Sequence, residues 1–282
     1  MTEALTLTRL GDALGIAAAG IDLNQPLAAS SRAALRRALL DGLVLCIRGQ
    51  SLTPGAYLAA MRAFGEPITQ VRQAARHPEV AEIMILSSED RDDLGDGKRL
   101  VVGAHWHSDD SYKAVPCALT MLYGVEVPVS GGDTQFVNMY RACEDLPAEM
   151  RQKIAPLRVI HKYDSSRKGT RIAALTTAEA QTVPDVVHPL VRTHPEAGRK
   201  ALYMNPNRME AVVGLERAES DALLDALVRH ATQPRYQYRH QWRPGDILIW
   251  DNRCTMHKAN GDYPEGARRL MHRIIVAGTV PA

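Results

Sequence analysis

The sequence predicts a mainly β fold with flanking helices, a single domain of sandwich or barrel type spanning residues 1–282. Three observations carry that prediction. Short apolar or alternating runs recur along the chain, at Leu43–Ile47, Glu82–Ser88, Ala118–Val127, Asp133–Val137, Asp246–Trp250 and Leu270–Val276. The helical patterns between them are few and scattered, which argues against alternating parallel units. No internal repeat and no Gly/Pro/Ser-rich linker divides the chain, and 282 residues are ample to bury one core.

In chain order, Leu5 to Leu10 alternates as an opening strand that bends at Gly11. Ser30-Ser31 can cap a helix whose apolar face is Leu35, Ala38 and Leu39, closed by Gly42. Thr53-Pro54 reads as N-cap and first helical residue of a second helix, with Tyr57, Met61 and Phe64 on one side and Gly65 at its end. The run Glu89–Arg99, charged and glycine-bearing, is a loop, and its functional reading is a mobile lid over the site that follows it. Asp145–Leu157 is read as helical. Leu190–Thr193 and Ala201–Met204 flank a hairpin turn. Glu216–Ala231 is the best amphipathic helix, with Ala222, Leu223, Ala226 and Leu227 inward. Tyr236–Trp242 alternates as a strand.

Composition narrows the function. Lys+Arg 34 against Asp+Glu 32 gives a net charge of +2, so nothing argues for nucleic acid as a partner. Four cysteines, at 46, 117, 143 and 254, have no paired or metal-type spacing and fit a reducing compartment. No leader pattern and no apolar run of membrane-spanning length is present, so the expectation is a cytoplasmic protein with no membrane partner.

The chemistry concentrates in Gly103-Ala104-His105-Trp106-His107-Ser108-Asp109. In an extended segment alternate side chains share a face, so His105, His107 and Asp109 point the same way. Periodicity does not choose between the two histidines. One imidazole and one carboxylate, joined by a second imidazole, make the facial triad that leaves three positions open on Fe(II). His257, just past a buried strand and far along the chain, is the candidate for that third ligand. Arg269 and Arg273 stand four apart at an otherwise apolar final strand, where a guanidinium is costly unless it meets an anion.

The ordered set Trp106-His107-Ser108-Asp109, Ser130-Gly131-Gly132-Asp133-Thr134-Gln135-Phe136, Pro189–His194, Trp250-Asp251-Asn252-Arg253 and Arg268–Arg273 resembles the family of taurine dioxygenase and 2,4-dichlorophenoxyacetate dioxygenase. These are Fe(II)- and 2-oxoglutarate-dependent oxygenases. The resemblance implies a double-stranded β-helix (jelly roll, cupin-like). It selects His107 over His105 and implies iron held by His107, Asp109 and His257. It implies that Thr134 and Arg269 hold the distal carboxylate of 2-oxoglutarate, and that Arg273 meets the prime substrate. The implied reaction uses O2 to hydroxylate a C–H of a small organic acid, a sulfonate or carboxylate such as an aryloxyalkanoate, releasing succinate and CO2. A homo-oligomer, dimer or tetramer, is expected.

The sequence departs from the taurine pattern around the substrate. Pro67–Gln73 and Gly103–His105 lack the expected His, Tyr and Asn, and Arg208 stands where an aromatic ring is expected. Arg208 and His105 are therefore read as substrate-binding residues beside Arg273, and unmatched positive charge argues for an anionic substrate. The alternative partners for Arg208 are solvent, Glu210 or Asp110. The other histidines (161, 188, 194, 230, 240 and 272) are read as structural or surface residues. The alternative function is a metal-binding cupin-like isomerase or ligand-binding protein, which would have no need of Arg269 with Thr134.

Overall fold

Alternate residues of the long strands part to two different cores. The computed structural model describes residues 4–90, 101–168 and 175–282. In chain order the first elements are β1 (Thr6–Arg9), β2 (Ile16–Ala19), α1 (Ala29–Gly42), β3 (Val44–Ile47), α2 (Pro54–Met61), β4 (Pro67–Ile68), β5 (Met84–Ser87) and β6 (Leu119–Glu126). Then follow β7 (Thr134–Asn138), α3 (Met139–Glu144), α4 (Ala148–Ile154), β8 (Arg158–His161), α5 (Thr177–Gln181), β9 (Val186–Pro189), β10 (Val191–Thr193) and β11 (Lys200–Leu202). The chain closes with β12 (Met209–Val212), α6 (Arg217–Ala231), β13 (Gln237–His240), β14 (Ile247–Asp251), β15 (Thr255–Ala259) and β16 (Leu270–Val276).

An eight-stranded sheet runs β1-β2-β3-β14-β6-β16-β4, with β5 also paired to β16. Its central strands β3 and β14 read as near-continuous apolar runs because both faces are covered, and β6 and β16 are interrupted by Thr120, His272 and Arg273. Leu45, Ile47, Met121, Tyr123, Ile247 and Ile249 turn one way, onto Leu35, Leu39, Tyr57 and Met61 of the two helices. Their neighbours Val44, Cys46, Leu122, Leu248 and Trp250 turn the other way, onto Phe136, Val137 and Met256 of a three-stranded sheet ordered β13-β7-β15. Burying a side chain of this size contributes roughly 1.5–3 kcal/mol, which fixes the register, since a one-residue slip would exchange the two faces. A β12-β8-β9 sheet and the β10-β11 hairpin extend the second core, covered by α6. The predicted mainly β fold with flanking helices is what forms.

Several expected details shift for local reasons. The first helix begins at Ala29, so Ser30 and Ser31 lie within its first turn, and Leu43 rather than Gly42 takes the left-handed terminal conformation (φ 62°). Thr53 caps α2 as expected, its side chain accepting from the Ala56 N–H. The helix expected over Asp145–Leu157 is confined to Ala148–Ile154 because Pro147 disfavours helical backbone at Leu146. In α6 the buried face is Ser220, Leu223, Leu224, Leu227 and Ala231; Ala222 and Ala226 are exposed. The larger leucines win the inward stripe because each removes more apolar area from water. β13 stops at His240, before Trp242. Most of the expected lid, 91–99, lies outside the described residues.

Candidate active site

Two segments that are far apart in sequence are joined by backbone before any side chain is considered. The His107 N–H donates to the His257 carbonyl at 2.9 Å, and the His257 N–H returns to the His107 carbonyl at 2.8 Å. His257 belongs to β15, which pairs with β7 so that His257 lies opposite Phe136. This reciprocal bridge sets the two imidazoles with ring centroids 4.1 Å apart. Asp109, two residues on, puts its carboxylate against both: His107 Nε2 is 3.6 Å from Oδ1 and His257 Nε2 is 3.7 Å from Oδ2. These separations are too long for hydrogen bonds, and one ligating atom from each of the three residues lies within 4.8 Å of the others.

Each donor is prepared by its neighbours. His107 Nδ1 lies 2.5 Å from the His105 carbonyl, an acceptor, which assigns the proton to Nδ1 and leaves Nε2 with a free lone pair. Gly103 stands over that ring in the left-handed region (φ 78°), and a Cβ there would lie 3.1 Å from His107 Cε1. His257 is packed between Trp250, at 4.5 Å, and Phe136, at 6.1 Å. Burial and the adjacent His107 hold its imidazole well below the usual range, against the opposing pull of Asp109, so it is neutral. Burial would raise the Asp109 carboxyl, but Arg273, His257 and His107 hold it well below the usual carboxylate range. Two imidazoles and an ionised carboxylate are the donor set of the facial triad, and they fit Fe(II).

Behind the carboxylate stands a polar frame. The Thr120 hydroxyl donates to Asp109 Oδ2 at 2.6 Å, and Asn252 Nδ2 donates to Thr120 Oγ1 at 2.8 Å. Asn252 Oδ1 accepts the Asp109 N–H at 3.2 Å and the Trp250 indole N–H at 3.1 Å. Ser108 Oγ donates to the Asn252 carbonyl, and Asn205 Nδ2 donates to the Ser108 carbonyl. Asp110, at φ 55°, turns the chain away immediately after the ligand. Sequence reasoning quoted Trp250-Asp251-Asn252 without a role for Asn252 and passed over Thr120, whose only sign was a lone hydroxyl inside the apolar β6.

An inner cavity is lined by His107, Asp109, His257, Thr134, Arg269 and Arg273. Arg269 lies one residue before β16 rather than within it, and its Nε is buried without a partner. Burial pushes its guanidinium down from the ordinary value, Tyr263 opposing. Thr134 lines the same space. A buried guanidinium and a hydroxyl together are a seat for a carboxylate.

An outer cavity of about 200 Å³ shares His107, Asp109 and Arg273 with the inner one and adds His105, Tyr112 and Arg208. Arg273 is not the unmatched charge expected. Its Nη2 lies 2.7 Å from Asp109 Oδ1, and its Nη1 meets Gln70 Oε1. Arg208 takes neither acidic partner, since Glu210 binds Ser166 and Arg217 while Asp110 binds Lys113. Its guanidinium donates to the Tyr163 carbonyl and lies over the Tyr163 and Tyr112 rings at 4.2 and 5.1 Å.

The remaining histidines have structural partners. His194 and His240 each meet a buried carboxylate at 3.0 Å, Asp251 and Asp246 respectively. His188 and His230 meet carbonyls, His161 meets Ser111, and His272 packs on His77 and Tyr123.

Residues 3–275 match the family model described as taurine catabolism dioxygenase TauD, TfdA family. An alpha-ketoglutarate-dependent 2,4-dichlorophenoxyacetate dioxygenase from Cupriavidus pinatubonensis is 34% identical over 262 residues, covering 90% of this chain and 91% of that protein. An alpha-ketoglutarate-dependent sulfate ester dioxygenase from Pseudomonas putida is 30% identical, covering 95% and 88%. Among solved structures, a taurine dioxygenase from Burkholderia xenovorans superposes with a TM-score of 0.84 at 32% identity, covering 99% of this chain and 91% of that one. The chain is a 2-oxoglutarate-dependent dioxygenase, with Fe(II), 2-oxoglutarate and O2 as its cofactor and co-substrates. The chain belongs to the TauD, TfdA family.

Proposed function

We propose that this enzyme hydroxylates a C–H of a small organic anion, a sulfonate or a carboxylate such as an aryloxyalkanoate, with iron held by His107, Asp109 and His257. The observation that carries the reading is the convergence of three metal-ligating atoms within 4.8 Å at a cavity that also holds the unpartnered Arg269 Nε. In this reading the two sheets ordered β3-β14-β6-β16 and β13-β7-β15 are the halves of a double-stranded β-helix, the whole chain is one domain, and the four buried free cysteines suit the cytoplasm.

The bound metal supplies oxidation of the substrate C–H coupled to conversion of 2-oxoglutarate to succinate and CO2. The protein's own groups do the rest. Asp109 brings one negative charge, and Thr120 with Asn252 fixes its orientation. Arg269 and Thr134 hold the distal carboxylate of the co-substrate. Trp250 and Phe136 pack against the His257 ring and shield it from water. Arg208 and His105 face the prime substrate from the outer cavity, with Arg273 between the two cavities.

Arg208, which no acidic side chain among the described residues engages, favours an anion in that outer cavity. The aromatic rings of Tyr112 and Tyr163 beside it suit a substrate with a flat apolar body. A panel of aryloxyalkanoates, aliphatic carboxylates, sulfonates and sulfate esters, assayed for substrate-stimulated succinate formation with Fe(II) and 2-oxoglutarate, tests this. Stimulation by acids and not by their neutral esters is expected. Equal stimulation by the esters overturns the anionic-substrate reading, and no succinate with any compound favours a binding protein or isomerase on the same fold.

A further inference from the structure

Trp242 packs beside Thr134, outside the set of proposed metal ligands. Trp242 lies two residues past His240, and His240 pairs directly opposite Thr134 across β13 and β7. The chain turns back there, so the Trp242 indole reaches over the end of β7. Its Nε1–H donates to Thr134 Oγ1 at 3.0 Å in a buried setting. The ring is trapped. It stands edge-on to His240 at 5.0 Å between centroids, and a Cβ at Gly124 would lie 3.2 Å from Trp242 Cε3. His240 in turn is fixed by Asp246 at 3.0 Å and by the Tyr238 hydroxyl at 2.9 Å, and Asp246 by Arg48 at 2.9 Å.

A threonine hydroxyl has one proton and two lone pairs, whereas an indole N–H donates only. With one lone pair taken by Trp242, the single Thr134 proton cannot go to its indole partner. It is left for a ligand in the inner cavity, beside the buried Arg269 Nε. Accepting from the indole also polarises the hydroxyl and strengthens it as a donor.

We propose that Trp242 is a positioning residue that sets the hydrogen-bond polarity of Thr134, turning its hydroxyl into a dedicated donor to the distal carboxylate of 2-oxoglutarate. This rests on the assignment of Thr134 and Arg269 to that carboxylate. It adds a group that contacts the co-substrate only through another side chain.

The experiment is an anaerobic titration of the Fe(II)-loaded enzyme with 2-oxoglutarate, reading the dissociation constant from the metal-to-ligand absorption band. Four proteins are compared: wild type, Trp242→Phe, Thr134→Val and the double variant. Trp242→Phe should weaken 2-oxoglutarate roughly 2- to 10-fold, the effect of one neutral hydrogen bond, and Thr134→Val roughly 10- to 100-fold. Thr134→Ser, which keeps the hydroxyl, should restore most of the affinity. The double variant should bind no more weakly than Thr134→Val alone, because without the hydroxyl the indole N–H has nothing to orient. Replacement of Trp242 by benzothienylalanine keeps the bicyclic ring and removes only the N–H, so it separates polarity from packing should the phenylalanine variant fold poorly. Multiplicative losses in the double variant, or wild-type affinity with benzothienylalanine, overturn the proposal while leaving the site assignment standing. Unchanged affinity in Thr134→Val overturns the assignment and the proposal together.

Discussion

Arg273 and Asp109 form an ion pair of 2.7 Å at the junction of the two cavities, so the carboxylate assigned to the metal also neutralises a buried guanidinium. Burial opposes the charge on Arg273, but Asp109 and Asp110 hold its pKa above the ordinary arginine value. The three proposed metal ligands are therefore not equivalent to the fold.

His107→Ala and His257→Ala should each abolish iron-dependent turnover without stranding a buried charge, His257→Ala losing only its packing on Trp250 and Phe136. Asp109→Ala should also lower the thermal midpoint, because breaking a buried pair and stranding one partner costs about 3–5 kcal/mol. Iron titration together with thermal unfolding of the three apo variants checks this. Equal thermal midpoints would count against a structural role for the Arg273–Asp109 pair.

Removing the Thr120 hydroxyl leaves Asp109 charged but less firmly oriented. Thr120→Val should weaken iron binding by about 10-fold or more, the usual effect of losing an outer partner of a ligand, with the fold preserved. Competition of the variant with a coloured iron chelator measures it. Wild-type retention of iron would reduce Thr120 to a packing residue.

For Arg269→Ala the co-substrate requirement should rise steeply, by roughly 2–5 kcal/mol in apparent binding, because a desolvated carboxylate loses a charged partner. Arg269→Lys should recover part of that loss, a point charge being unable to reproduce the fork. The measurement is the 2-oxoglutarate concentration dependence of succinate release. A wild-type curve for Arg269→Ala would place the carboxylate elsewhere.

The pH dependence of stability should carry a component from His161. Burial and the neighbouring His188 lower its pKa to about 3, against an ordinary 6.5. Its folded form therefore stays neutral where the unfolded chain already binds a proton. Stability from this group is complete above about pH 6.5 and is lost as pH falls from there toward 3, at up to about 1.4 kcal/mol per pH unit. Urea midpoints of wild type and His161→Gln between pH 7 and 4.5 should converge as pH falls. Parallel curves would refute a neutral buried His161.

Much of the architecture was legible because strands covered on both faces betray themselves as continuous apolar runs. Leu270–Val276 is found to the residue, and the Leu190–Met204 hairpin forms around its turn. A boundary failed where proline overrode pattern, at Pro147 before α4, whereas α6 kept its expected bounds and only its inward face was misread at Ala222 and Ala226. Alternation also placed His105, His107 and Asp109 on one face but could not rank the two histidines. The His107–His257 bridge was invisible, because no local pattern announces which distant backbone will complete a pair. Arg273 illustrates a deeper limit. Its position was readable, but its partner was a carboxylate already spoken for, and charge counting along a strand cannot see that.

The reciprocal backbone bridge has a consequence for how this enzyme can change over time. Both histidines hang from one rung of a ladder, so inserting or deleting a single residue on either side would throw an imidazole to the opposite face. The outer wall, by contrast, is assembled from connecting segments around Gln70, Gly103–His105 and Asn205–Arg208, which belong to no common ladder. The two parts still meet, because the His105 carbonyl holds the His107 ring and Asn205 holds the Ser108 carbonyl. Change is therefore cheapest around Gln70 and Arg208, and dearest at Gly103, His105 and Asn205, where the outer wall bears on the rung itself.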